Sequence, residues 1–555
     1  MTTSRRRTPL RLIVPALAVA LATTFLVGAA QADPTDPPGP AAGGPGSAGA
    51  DTSQEVAEDA LETVEDLLDP GTAPGLRSTD PVDPDEATDE DAPADLTMAL
   101  RDLAVTAHDL PKNKQDDAKR LLARPTDAQT GNANGSSFEC NPDYPTSFCY
   151  EKKEATPYCA QGNVCVHYLK GSQSTYPNAA APEDDGPGGV WPGTKNNNIP
   201  DYVEYVGLVM SRIVDRYNAA GYRAPVGDGA RGGGDTDDFD VYLADLGKAG
   251  YYGYCTTDQL VSGHTTAPGY CVLDNNYTAR EYGTWNTPAD NMRVTAAHEY
   301  FHAVQFAYDV NESAFFMEAT ATWAEDEVYT GINDNRQYLP YGPLGHPDRA
   351  LGSSSGLAPY GAWIFFRHLS ETWPKEVGKL PVIVRQIWEK AAGGPSSITA
   401  IEGVLADRGT NFRDEFARFA TRNRRTSAFY SEGSAYPNAP LWKNFKPTAA
   451  SRSAAAGPRT NPKSAHTVRF DRTAKLSGNW KIKLAINLAN RTADAGYVTV
   501  KPVGKAARST RLSLNASGNQ TITTWFGPKT DWIEVTVVNA GTGGHRQKVT
   551  GTLVR

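Results

Sequence analysis

Two periodicities divide this chain into regions before any single residue is considered. From Val294 to Tyr308, Ala297, Phe301, Val304 and Tyr308 recur at helical intervals and predict one amphipathic helix. A further helix is expected across Phe316 to Glu325, where a bulky residue, a Glu and four small residues precede an aromatic. Upstream, Val56, Leu61, Val64, Leu67 and Leu68 give Glu55 to Leu68 a helical spacing, and a second helical pattern runs from Leu96 to Leu122. Near the C-terminus the period changes to two. Lys481 to Leu488, Gly496 to Pro502, Thr510 to Leu514 and Trp532 to Val538 alternate apolar and polar positions between Gly, Asn and Asp, which predicts a small all-β sandwich. The fold class expected is therefore α+β, with an all-β sandwich at the end.

Composition sets the boundaries. Residues 1–32 read as a signal peptide: Arg5, Arg6, Arg7 and Arg11 lead into the apolar run Leu12 to Val27, closed by Ala30-Gln31-Ala32. Residues 33–135 form an acidic leader or propeptide, expected to be largely disordered outside its helical segments, because too little apolar surface is available to offset the entropy of ordering. Between Asp33 and Asp95 eighteen acidic residues face only Arg77. An inhibitory propeptide and a solvated cell-wall spacer are both open readings of it. Residues 136–435 carry the Tyr, Trp and Cys of the working domain, 436–465 read as a linker, and 466–555 as the sandwich. The precursor's net charge of -10 sits mostly in the leader, so the folded part is nearly neutral and offers no case for nucleic acid. No later segment approaches a membrane span. All six cysteines follow the signal and none forms a Cys-x-x-Cys pair, so disulfides in a secreted, extracellular protein are expected, Cys159 with Cys165 and Cys255 with Cys271 closing short loops.

Chemistry concentrates on the first helix. His298 and His302 lie four residues apart, so their rings project side by side toward one ion, and Glu299 falls about 100° round from His298. Catalytic zinc takes three protein ligands and keeps one position open. Glu318, sixteen residues past His302, is the first candidate for the third, ahead of Glu325 and Glu312. Glu299 is the expected general base of a hydrolysis, and the ion would supply the activated water and polarise the scissile carbonyl. Two acidic turns are candidate Ca2+ sites, one with Asn196, Asn198, Asp201 and Glu204, the other with Asp235, Asp237, Asp238 and Asp240. Solvated turns are the plainer reading of both.

His298-Glu299-Tyr300-Phe301-His302-Ala303-Val304-Gln305, Phe316-Met317-Glu318-Ala319-Thr320-Ala321-Thr322-Trp323 and, more loosely, Phe239-Asp240-Val241-Tyr242-Leu243 resemble the gluzincins. That group of zinc peptidases includes the thermolysin-like and aminopeptidase N-like enzymes, and the likeness is nearest to secreted bacterial metalloproteases of the MXAN type. The resemblance covers about residues 136 to 430. It implies a two-lobed domain: a mixed sheet whose edge strand borders the cleft, and a helical lobe, with one zinc held by His298, His302 and Glu318. It also implies a tyrosine opposite the metal, and Tyr360 is the first candidate, with Tyr341 and His346 as rivals. Thermolysin-like enzymes carry an Asp four residues after the Glu ligand; here Thr322 stands there, so a histidine must be supported from elsewhere, Asp309 or Glu325 being candidates.

The reading is thus a secreted zinc endopeptidase acting on protein or peptide substrates, with possible cell-wall or polymer contact left to the sandwich. One alternative is a secreted binding or adhesion protein on an inactive metallopeptidase scaffold. Another is a serine esterase using Ser354, within Gly352-Ser353-Ser354-Ser355-Gly356, although no strand is expected before it as a nucleophile elbow requires. Gly227 to Gly232 matches a dinucleotide-binding string but opens no helix, and reads as a loop.

Overall fold

Strand Phe239–Ala244 is buried along nearly its whole length, as a strand covered on both faces must be. In a computed structural model of the chain it sits at the centre of a five-stranded sheet among the described residues, which are 48–68, 95–127, 148–160, 164–181, 191–193, 197–229, 231–232 and 237–555. The expected signal peptide, Cys140, Asn196 and Asp235 lie outside them. The strands are β1 (Tyr158–Ala160), β2 (Val164–His167), β3 (Phe239–Ala244), β4 (Gly253–Thr256) and β5 (Tyr270–Asp274), in the order β1-β2-β3-β5-β4. The central pairs β2–β3 and β3–β5 are parallel, whereas β4 runs antiparallel to β5 and forms one edge. Disulfides Cys159–Cys165 and Cys255–Cys271 staple β1 to β2 and β4 to β5.

Three helices of the leader come first: α1 (Ala48–Leu68), α2 (Leu96–Thr106) and α3 (Lys112–Leu121). The single pattern expected from Leu96 to Leu122 is broken at Leu110-Pro111, because Pro cannot continue a helix. These parts of the leader are packed, not solvated: Leu61, Val64, Leu100, Leu103 and Leu122 belong to the main core. Arg124, expected in the same leader, is buried and ion-paired to Asp228, Asp240 and Asp258. Leader and sheet therefore share one interior, and residues 49–555 form one compact unit.

The helix expected at Val294 to Tyr308 is α5 (Pro288–Phe306), following α4 (Asp201–Ala220). It starts earlier than its apolar pattern because Thr287 caps it through Asp290 N and Pro288 occupies the first turn. From Val294 to Phe306 every residue is buried, so this is a central helix and not a surface one. Gly253 of β4 lies against it: a Cβ there would come 2.7 Å from Thr295 Cγ2 and 3.0 Å from Glu299 Cγ. Next, α6 (Ala314–Val328) packs on α5, with Ala319, Thr320, Ala321 and Thr322 fully buried. A helical layer of α7 (Trp363–Thr372), α8 (Val382–Ala391), α9 (Ser397–Ala406) and α10 (Phe412–Arg422) backs it.

The C-terminal region is β-rich: a five-stranded and a four-stranded sheet share an apolar core including Val468, Phe470, Ile482, Leu484, Val549 and Leu553, and Arg459–Thr460 pairs with His545–Arg546 in a small third sheet. Lys481–Asn487 shows strict alternation of exposed and buried positions. The expected linker is a correction: Lys443–Phe445 pairs with Ser464–Asp471, and Ser453–Ala456 with Lys548–Val554, because their free backbone groups complete the two sheets. Glu534, buried in this region, accepts from Arg424, Arg425 and Arg469, so charge as well as apolar packing joins it to the helical layer. Among the described residues no helix is long and apolar enough to cross a membrane.

Candidate metal centre

His298 and His302 project from α5 with ring centroids 4.8 Å apart, and Glu318 comes to meet them from α6. One ligand atom from each of the three lies within 4.8 Å of the others, and all three residues are buried. His298 Nε2 is 3.2 Å from Glu318 Oε2, and His302 Nε2 is 3.2 Å from Glu318 Oε1.

Which nitrogens carry hydrogen follows from the partners behind them. The Gln305 amide nitrogen donates to Met317 O and to Thr320 Oγ1, so its oxygen faces His302 Nδ1 at 2.8 Å and requires a proton there. The Thr320 hydroxyl in turn donates to Phe316 O, leaving its oxygen free to accept. His298 Nδ1 faces Glu325 Oε1 at 2.6 Å and is a donor for the same reason. In the neutral rings both Nε2 atoms then present lone pairs to the two oxygens of one carboxylate. His302 Nε2 and Glu318 Oε1 are buried without a hydrogen-bond partner despite their proximity. Facing lone pairs in a dry interior repel unless a proton or a cation lies between them; with both rings neutral the donor set fits a divalent ion, and two imidazoles with a carboxylate suit zinc.

Protonation energetics agree. Burial pushes Glu318 well above the usual carboxylate range, and neighbouring Asp95 adds to this. Burial also lifts Glu325 to about 7 against the opposing His298. For His298, burial favours the neutral ring, but hydrogen bonds to Glu318 and Glu325 outweigh it and hold the pKa well above 6.5. His302, buried beside His298, is held well below 6.5. Without an ion the cluster can only share protons among its carboxylates and one imidazole.

Glu299 sits one residue along α5, its carboxyl raised to about 8 by burial and by the charges of Asp95 and Glu325, with His298 opposing. Its Oε2 accepts from Thr97 Oγ1 at 3.3 Å. Tyr360, rather than Tyr341 or His346, is the ring stacked on His298, with centroids 5.8 Å apart and planes 14° from parallel. Its hydroxyl donates to Asp95. Of the two supporting candidates, Glu325 backs His298, while Asp309 is engaged with Asn311 N. Glu312 turns to Ser313 N. Sequence reasoning did not single out Gln305, Asp95 or Thr97. Gln305 was findable by its three-residue helical offset from His302, the other two only through the fold.

The remaining candidates fall elsewhere. In the second acidic turn Asp240 is engaged by Arg124 and His167, and Asp237 accepts from Gly229 N. In the first, Lys170 donates to Asn198 and Asn197 to Glu204. Ser354 lies exposed in a turn that no strand precedes. Gly227 to Gly229, Arg231 and Gly232 lie outside any helix or strand, as expected, and Ala230 lies outside the described residues.

No family model matches this chain, and no curated protein does. Solved structures match weakly. The pre-peptidase C-terminal domain of a collagenase from Bacillus anthracis is 8% identical over 21% of this chain and 97% of its own, at a TM-score of 0.15. A periplasmic inhibitor of g-type lysozyme from Salmonella Typhimurium is 18% identical over 20% and 98%, at 0.14. A 4-O-methyl-α-glucuronidase is 9% identical over 61% and 54%, at 0.13. Similarity at this level carries no argument about fold or activity.

Proposed function

We propose that this chain is a secreted zinc-dependent endopeptidase with gluzincin-like lobes, the sheet with its edge strand β4 forming one side of the cleft and the helical layer the other. The observation that carries the reading is the pair of Nε2 atoms, on rings held from behind by Gln305 and Glu325, that converge on the two oxygens of Glu318. Zinc held by His298, His302 and Glu318 would supply Lewis acidity toward a carbonyl and an activated water. Glu299, buried beside the ligands, has the position and the raised proton affinity to take a proton from the attacking water and return it to the departing amine. The Tyr360 hydroxyl is the donor available to a developing oxyanion. Among the described residues no strand pairs with the outer edge of β4, and an extended peptide can join that edge by backbone hydrogen bonds where Thr97 does not hold Cys255 N.

Metal analysis of the secreted protein, followed by a peptide-library digest with and without chelator, tests this. One zinc per chain is expected in the wild type and none in His298→Ala, with cleavage abolished by chelator and restored by zinc. Full zinc in His298→Ala would defeat the ligand set. Hydrolysis indifferent to chelator but blocked by serine-directed reagents would install Ser354. A zinc-loaded chain that cleaves no peptide even in its activated form would favour the binding protein.

A further inference from the structure

We propose that the N-terminal segment holds the full chain latent by seating Asp95 in the space a substrate carbonyl must occupy, with α2 lying along the substrate's path. The inference rests on His298, His302 and Glu318 being a metal site.

Asp95 is the N-cap of α2, its Oδ1 accepting from Met98 N at 3.2 Å. The same carboxyl accepts from the Tyr360 hydroxyl and lies near enough to Glu318 for its charge to be felt there. It therefore occupies the candidate oxyanion donor and brings a carboxyl beside a candidate metal ligand. Two residues on, the Thr97 hydroxyl donates to Glu299 Oε2 and accepts from Cys255 N at 3.2 Å. Cys255 lies in β4, so one hydroxyl engages the candidate base and the sheet edge together. Arg101, also buried, donates to Val310 O at 3.1 Å and Glu312 O at 2.5 Å in the connection between α5 and α6. Ala104 O accepts from Val261 N. Helix α2 is thus anchored to the connection between α5 and α6 and to the sheet, with its first turn on Tyr360 and Glu299.

The identity of residue 95 is the second observation. Capping alone is met equally well by Ser or Asn. A carboxylate at this point adds negative charge beside Glu318, with Glu299 and Glu325 also buried close by. Such a group is costly next to other carboxylates unless a cation or a proton lies among them. Asn or Ser would keep the cap without a carboxyl facing Tyr360, so the contact made by residue 95 is what separates a plug from a simple cap.

The test uses the full exported chain loaded with Co2+, reading its visible absorption and its affinity for acetohydroxamate, alongside hydrolysis of a quenched peptide. Asp95→Asn and Asp95→Ser both keep a capping oxygen. Each should bind acetohydroxamate roughly a hundredfold more tightly than the wild type, because apparent affinity scales with the fraction of chains whose site is open. Both should also shift the cobalt spectrum and raise peptide hydrolysis by a similar factor. Equal hydroxamate affinity in wild type and both variants, with the cobalt band intact, would overturn the plug and leave the metal site standing. Loss of the cobalt band from the wild type itself would overturn the metal site, and the plug with it.

Discussion

Gln305 Oε1 lies 2.8 Å from Nδ1 of His302, and this one contact decides which nitrogen of that ring is turned toward Glu318. The amide is itself held by Met317 O and Thr320 Oγ1, both in the helix that carries Glu318. One side chain thus sets the ring's tautomer and ties the two ligand-bearing helices together. The position four residues after Glu318, where thermolysin-like enzymes place an Asp, is here Thr322, buried with its hydroxyl oxygen unpartnered. Support of the histidines comes from Gln305 and Glu325.

Gln305→Ala should therefore weaken zinc binding by roughly 10- to 100-fold, as loss of a group that orients a ligand does. A competition titration against a chromophoric chelator measures it. Gln305→Glu, which keeps an acceptor against Nδ1, should recover most of the affinity. Unchanged affinity in Gln305→Ala would show that packing alone orients His302.

Glu299→Gln should keep its zinc and lose activity by roughly 100-fold or more, the range for removing a general base. The amide fills the same space and still accepts from Thr97, so folding and metal content serve as controls. Elemental analysis and single-turnover hydrolysis, both in an Asp95→Asn background, separate binding from chemistry. Wild-type turnover would remove Glu299 from the mechanism.

His167 should make stability fall with rising pH. The ring is buried between Glu154 and Asp240, at 2.9 and 3.0 Å, and stacks on Tyr242. Burial opposes its charge, but the two carboxylates outweigh it and raise the pKa to about 9. Because the folded value exceeds the unfolded one, the contribution is complete below about pH 6.5 and is lost as pH climbs through about 9, amounting to roughly 3 kcal/mol. Urea unfolding at pH 6 and pH 9.5 measures the slope, which His167→Gln should largely abolish. An equal slope in both proteins would assign the effect elsewhere.

Much of this protein was legible along the chain because the relevant physics is local. Helical spacing alone puts His298, Glu299 and His302 on adjacent faces of one helix, and strict alternation identifies Lys481 to Asn487 as a half-buried strand. Close cysteines predict their own partners when β strands pair them. What required the tertiary structure joins distant segments. Ser453 to Ala456 looks like a linker by composition, and its place in a sheet depends on partners that only folding brings alongside. Asp95 reads as one more acid in an acidic leader. Its meeting with Tyr360 and Glu318, more than two hundred residues away, was decided by packing, because neither charge nor period encodes which cleft a helix end will enter.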